Sequence, residues 1–190
     1  MRRRFVWAAI AAVAGAALAG CANSGARVDP ADDLSVVVGY IDMADAPSDL
    51  RWVSIKGYGN SDHRYRAGAE NGLFFHVGVE PGSYQVDRFG GLRSLVPLFG
   101  DPYEYEWGTQ GRNPTAVRIE RAGVYFLGAH RYTRQSTGFL EPGRFTMQPL
   151  SSPSEREALQ RLLRIMEGDS SLSAYRHQIA RIKQKLGGSK

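Results

Sequence analysis

Three regimes of apolar spacing succeed one another along the chain. Phe5 to Leu18 is an apolar run without a charge. From Leu34 to about Leu150, short β-branched and aromatic runs are separated by Gly, Pro, Asn and Asp, the pattern of an antiparallel β-sandwich or barrel. After Leu150 the apolar residues recur every three or four positions, the period of a helix with one buried face.

Within the middle regime, strands are expected near Ser35 to Ile41, Arg51 to Tyr58, Leu73 to Val79, Ser83 to Phe89, Thr115 to Ile119, Val124 to Tyr132 and Arg144 to Gln148. Seven strands suffice for two small packed sheets. Tyr84 and Val86 fall on one face with Gln85 and Asp87 on the other, and Val117 and Ile119 oppose Arg118 and Glu120 in the same way. Such alternation sets one face on a core and the other in water. Val36-Val37-Val38 and Leu73-Phe74-Phe75 are continuous instead, which predicts central strands. Trp52 and Tyr58, in or beside an apolar strand, are expected in the core.

The last regime predicts two helices. Ser152-Pro153-Ser154-Glu155 reads as a capping box with Ser152 at the N-cap, Pro153 at N1 and Glu155 at N3. Leu159, Leu162, Leu163 and Met166 then form one stripe, closed by Gly168. A second helix, from about Ser171 to Leu186, carries Leu172, Tyr175, Ile179, Ile182 and Leu186 at the same spacing. Joined by Gly168-Asp169-Ser170, the two make a helical hairpin whose stripes are expected to bury against the β region.

The first regime bears on address. Arg2, Arg3 and Arg4 precede an apolar run that is too short for the roughly 20 residues a spanning helix needs, and it ends in small residues. That is a secretory signal. Ala17-Leu18-Ala19 would suit ordinary signal peptidase, whereas Leu18-Ala19-Gly20-Cys21 closely resembles the lipobox of bacterial lipoproteins. The resemblance implies that the Cys21 thiolate takes a diacylglyceryl group and becomes the new N-terminus. Cys21 is the single cysteine of the chain, so it has no disulfide partner within it. Acyl chains contribute about 0.8 kcal/mol per buried methylene, and stable anchoring takes two or more of them. Ala22, where Asp would favour retention in the inner membrane, points to the outer membrane by analogy with enterobacterial sorting. Residues 22–33, polar and without apolar period, read as a flexible tether with a reach of about 20 Å.

Removing the leader takes away three arginines and no acid, so the formal charge falls from +5 to +2. The remaining excess sits in residues 151–190, with 8 basic against 4 acidic groups. Contact with anionic lipid is one reading of that asymmetry and a solvated helical face is the other. Nucleic acid is not expected as a partner of an exported protein. The chain divides into a signal peptide (1–20), an acylated N-terminus with tether (21–33), a β-sandwich (34–150) and a helical hairpin (151–190).

Val79-Glu80-Pro81-Gly82-Ser83-Tyr84-Gln85-Val86 offers a turn at Pro81-Gly82, of type II if Gly82 takes a positive φ, followed directly by a strand. This resembles the P-G-x-Y strand start of transthyretin-like and carboxypeptidase-regulatory-like β-sandwich modules. Ala122-Gly123-Val124-Tyr125-Phe126-Leu127-Gly128 is similar to a second such start, as in envelope lipoproteins of like layout. The resemblance implies a sandwich of transthyretin-like or Ig-like kind and brings no active site with it, since those modules are largely non-catalytic.

Candidate chemistry is sparse. His63, His76, His130 and His177 show no metal-ligand spacing, and a zinc site needs three or four converging ligands; no metal or cofactor is expected. An enzyme would require His76 or His130 to meet carboxylates in a cleft. Gly90 to Pro114 is long for a loop, and such segments are usually functional or disordered. Its first half, with Leu92 and Leu95, is expected to pack as a short helical turn. In its second half Tyr103, Tyr105 and Trp107 alternate with Glu104 and Glu106. The three rings form either a core face or a row that stacks on a sugar or anchors a partner protein. The glutamates are either a working pair or a solvated strand edge. The function expected is that of a lipid-anchored, non-enzymatic envelope module, with membrane lipid and an envelope protein as partners; binding of glycan or a small ligand is the alternative.

Overall fold

The computed structural model of the chain describes residues 33–59, 63–93, 101–107, 113–135 and 144–188. Residues 1–32, which include Cys21 and the stretches expected to be a signal peptide and most of a tether, lie outside them. Among the described residues nine strands form: β1 (Ser35–Asp42), β2 (Trp52–Gly57), β3 (Arg64–Glu70), β4 (Leu73–Val79), β5 (Gly82–Arg93), β6 (Asp101–Glu106), β7 (Val117–Ile119), β8 (Val124–Gln135) and β9 (Arg144–Leu150). Two helices follow, α1 (Glu155–Gly168) and α2 (Arg176–Gly187), with a 3₁₀ segment over Ser170–Tyr175 between them.

The strands make one curled sheet in the order β6-β5-β2-β3-β4-β1-β8-β9, with β7 also paired to β5. Inside the curl, Val37 and Ile41 of β1 meet Val53 and Ile55 of β2, Phe74 of β4, Tyr84, Val86 and Phe89 of β5, and Leu127 and Tyr132 of β8. The outer face around β1 is apolar as well. There Val36, Val38, Leu73 and Val124 pack against Ala158, Leu159, Leu162 and Met166 of α1 and Ile182 of α2. β1 is therefore covered on both faces, as its unbroken valine run predicts, and the helical hairpin packs on the chain's own sheet.

The expectation of purely antiparallel pairing fails at one place: β1 and β8 run parallel, with Val36 opposite Val124 and Asp42 opposite Arg131. All other pairs are antiparallel. A parallel pair needs a long crossover, and here the crossover is everything from β2 to β7.

Three bulges tune the curl. On the two neighbours of β1, Gly78 and Gly128 sit at φ 88 and φ 90, each at a break in register. Only glycine takes that conformation at no steric cost. Each bulge shifts the alternation by one residue, so Phe74 and then Val79 face inward on β4, and Leu127 and then Tyr132 on β8. On β5, Asp87 is the extra residue between Val86, opposite Ile55, and Arg88, opposite Ser54.

Several expectations are corrected locally. β3 and β6 add two strands to the seven expected, and β6 together with the end of β5 takes up part of the 90–114 segment. Leu92 lies in β5, 48 % exposed, rather than in a helical turn; Leu95 and its neighbours fall outside the described residues. Asn71 and Gly72, at φ 49 and φ 80, form the two-residue turn that joins β3 to β4. Gly82 does not take the positive φ of a type II turn. Tyr58 is 40 % exposed rather than core. Trp52 shares the outer face with Lys56, because it falls in the other phase from Val53 and Ile55, and the Arg66 guanidinium lies 4.2 Å from its ring centre.

The capping box lies two residues later than expected. Ser154 is the N-cap: its hydroxyl accepts from the Glu157 N–H, and the Glu157 carboxylate accepts from the Ser154 N–H at 2.7 Å. Both Ser-x-x-Glu frames suit the motif, but Pro153 is buried and precedes the helix. The second helix begins as 3₁₀, with Asp169 accepting from the Ser171 N–H.

Leu162 is fully buried between α1 and the sheet, so Leu162→Ala is expected to cost about 2–5 kcal/mol. Ser154→Ala, which removes one cap, is expected to cost about 1 kcal/mol. Urea denaturation of the two variants checks both values and their order.

Candidate functional site

The two ends of the curled sheet meet across an aromatic cluster. Alternation along β6 sends Tyr103 and Tyr105 inward, and the pairing of β6 to β5 places Tyr105 opposite Phe89. The Tyr105 ring stacks on Phe89 at 5.2 Å and meets Phe145 of β9 at 5.4 Å and Tyr132 of β8 at 5.2 Å, both edge-on. Trp107, just past β6, is 7 % exposed and stands edge-on to His130 at 4.8 Å. Tyr103 stacks on Tyr105 at 6.2 Å and, like Tyr105, is half-buried. Tyr105 and Trp107 thus join the inner core of the curl, and Tyr103 extends the row beyond it.

The opposite face of β6 is polar. Glu104 and Glu106 project outward beside each other, and the Arg88 guanidinium of β5 holds both, at 2.8 and 2.9 Å. One guanidinium thus ties both carboxylates to β5. The arrangement is a charged edge strand, of the kind that blunts pairing with other chains.

The histidines sit apart from one another. His63 Nδ1 is 3.1 Å from the Glu80 carboxylate, both groups exposed. His76, on the inner face of β4, packs on Tyr65 at 4.8 Å, and its buried Nδ1 lacks a hydrogen-bond partner. His130 lies against Trp107. Burial pushes both His76 and His130 below the ordinary imidazole value of 6.5. Tyr65, desolvated in the same cluster, is pushed up to about 12; its hydroxyl accepts from the Glu80 N–H at 3.2 Å. No group of three His, Cys, Asp or Glu side chains that could hold a metal converges among the described residues. No helix among them is long and apolar enough to cross a membrane.

The open surface has several shallow clefts. One, of about 730 Å³, lies at the end of the sheet where β4 leads into β5, between Tyr58, Pro81, Arg118 and Glu120. A second, of about 600 Å³, lies beside it between the turn before β8 and α2, and gathers Arg121, Arg181 and Lys185. The spacing pattern did not single out these three side chains, because they come from two distant segments; the basic excess of residues 151–190 is the sequence signal that bears on them. Cys21 lies outside the described residues. No protein-family model, curated protein or solved structure matches the chain.

The buried histidines make stability depend on pH with a definite sign. Their folded-state pKa values are depressed, so above about pH 6.5 the folded and unfolded states bind protons alike. As pH falls below that, the unfolded chain takes up protons that the folded one refuses, and stability is lost. Melting temperature is expected to fall between pH 7 and 5.5, and His130→Asn, compared over the same range, to show a shallower fall.

Proposed function

We propose that the chain is a bacterial envelope lipoprotein, held in the membrane by acyl groups on Cys21 and carrying a β-sandwich of transthyretin-like or Ig-like kind. It works as a non-enzymatic interaction or structural module facing the periplasm, with the outer membrane favoured by Ala22. The observation that carries the reading is Leu18-Ala19-Gly20-Cys21: the sole cysteine stands where an apolar, uncharged run ends in small residues.

Two structural features support the sandwich part. β5 begins at Gly82, directly after Pro81, and β8 begins at Val124, directly after Gly123. Those are the two strand starts on which the family resemblance rests. The parallel pairing of β1 with β8 is a departure from a strictly antiparallel sandwich. Binding of a sugar by Tyr103, Tyr105 and Trp107 is the weaker reading, because stacking needs open ring faces, while Tyr105 packs on Phe89 and Phe145, Trp107 on His130, and Tyr103 on Tyr105.

Metabolic labelling with an alkyne fatty acid, followed by detergent phase separation, tests the anchor. The wild-type chain is expected to take up label and enter the detergent phase, and Cys21→Ser to do neither. A wild-type chain that stays unlabelled and aqueous would sink the reading.

A further inference from the structure

We propose that the cleft between Tyr58 and the Arg118–Glu120 pair binds a neutral, β-linked sugar chain. The proposal rests on the reading of the chain as a non-enzymatic interaction module, whose ligand it names, and it does not depend on the anchor at Cys21.

The cleft follows from alternation on three strands. Tyr58, just past β2, keeps the outward phase of Trp52 and Lys56, and its N–H donates to the Ser83 carbonyl at 2.9 Å. Ser83 in turn lies opposite Arg118 of β7. Tyr58, Ser83 and Arg118 therefore make one row across the sheet, long at both ends and short in the middle. Gly59 and Gly82 add no side chain to it, and Pro81 adds an apolar ring to the lining. The result is the trough of about 730 Å³ described above, within the roughly 300–1,000 Å³ of small-molecule sites.

Its two walls differ in chemistry, and together they suit a sugar. Tyr58 is 40 % exposed, and its ring packs on no other aromatic ring among the described residues. Tyr105 and Trp107 lack such an open face. A pyranose can lay its C–H groups on it. On the other wall Arg118 Nε and the Glu120 carboxylate lie 3.2 Å apart, both side chains largely exposed. A guanidinium has more N–H groups than one carboxylate engages, and the carboxylate keeps further lone pairs, so the pair offers donors and acceptors side by side. Sugar hydroxyls need both. The two charges offset each other, which favours a neutral ligand over an anion. Glu80, beside Pro81, is held by His63 at 3.1 Å, and Arg121 lines the neighbouring cleft instead. A β-linked chain of gluco-configured rings carries its hydroxyls equatorially and leaves flat C–H faces, the shape that one aromatic wall can hold.

The test uses the mature chain, residues 21–190, carrying Cys21→Ser so that no acyl group is present. The isotope-labelled protein is titrated with cellotetraose and followed by its amide resonances in NMR. Shifts are expected at Tyr58, Gly59, Ser83 and Arg118, and high salt is expected to change the affinity by no more than about twofold, since the ligand carries no charge. Tyr58→Ala is expected to weaken binding about fivefold, through the lost ring face, whereas Tyr58→Phe keeps it. Arg118→Gln is expected to cost about fivefold through lost hydrogen bonds. Tyr58 joins β5 through its main-chain N–H, which the alanine variant retains; circular dichroism checks both folds. Leu92→Ala, at the other end of β5, is expected to leave binding unchanged. No shift with cellotetraose, shifts confined to residues 103–107, or undiminished affinity in both Tyr58→Ala and Arg118→Gln overturns the site. Fatty-acid labelling is read separately: an unlabelled Cys21 overturns the anchor and leaves the sugar site standing.

Discussion

Everything described depends on β1 being buried on both faces. Its valines alternate between two cores, Val37 and Ile41 facing the interior of the curl and Val36 and Val38 facing the helices. Neither layer would hold alone. A two-helix hairpin of this length is marginal in water without a surface to cover, and a sheet whose outer face carried Val36, Val38, Leu73 and Val124 to solvent would expose a large apolar patch. Each layer solves the other's problem, and β1 is the strand they share.

The same requirement explains why the chain bends as it does. β1 stays in one phase along its whole length, whereas both neighbours carry a glycine bulge that shifts theirs. Gly39, midway along β1, leaves room for the Phe74 ring, which a Cβ there would meet at 2.4 Å. The curl then brings β6 and β9 close enough for Tyr105, Phe89, Tyr132 and Phe145 to pack as one cluster. Aromatic packing closes the gap where ladder hydrogen bonds between the two edge strands do not.

What could be read from the chain in advance follows from these particulars. Val36-Val37-Val38 announced a central strand because nothing polar interrupts it, and the helix stripes were legible because Leu159, Leu162 and Met166 keep strict phase. β3 was missed because its inward residues are Tyr65, Ala67 and Ala69, small or amphipathic, set among Arg64, Arg66 and Glu70. Asn71-Gly72 was the signal that could have found it, since that pair favours a two-residue hairpin. Trp52 and Tyr58 were misplaced because composition marks a residue as apolar while phase decides its face. The parallel partner of β1 was invisible for a different reason: pairing between distant strands leaves no local period. Among the candidate residues, the ring row of Tyr103, Tyr105 and Trp107 was legible from its alternation, but the Arg121, Arg181 and Lys185 cleft joins segments that only the fold brings together.

The place of β1 also bears on the order in which the molecule can be made. It is the first of the described strands to leave any machine that releases the chain from its N-terminus, yet its parallel partner, from Val124 on, and its helical cover, from Glu155 on, come much later. Until then β4 alone can shield one edge of Val36-Val37-Val38, and contacts of such long range form slowly. Nascent chains therefore pass through a state in which their most apolar strand is half-dressed, and an uncovered strand of that kind invites pairing with its own copies. The strand that holds the finished fold together is the one most in need of a chaperone while the fold is unfinished.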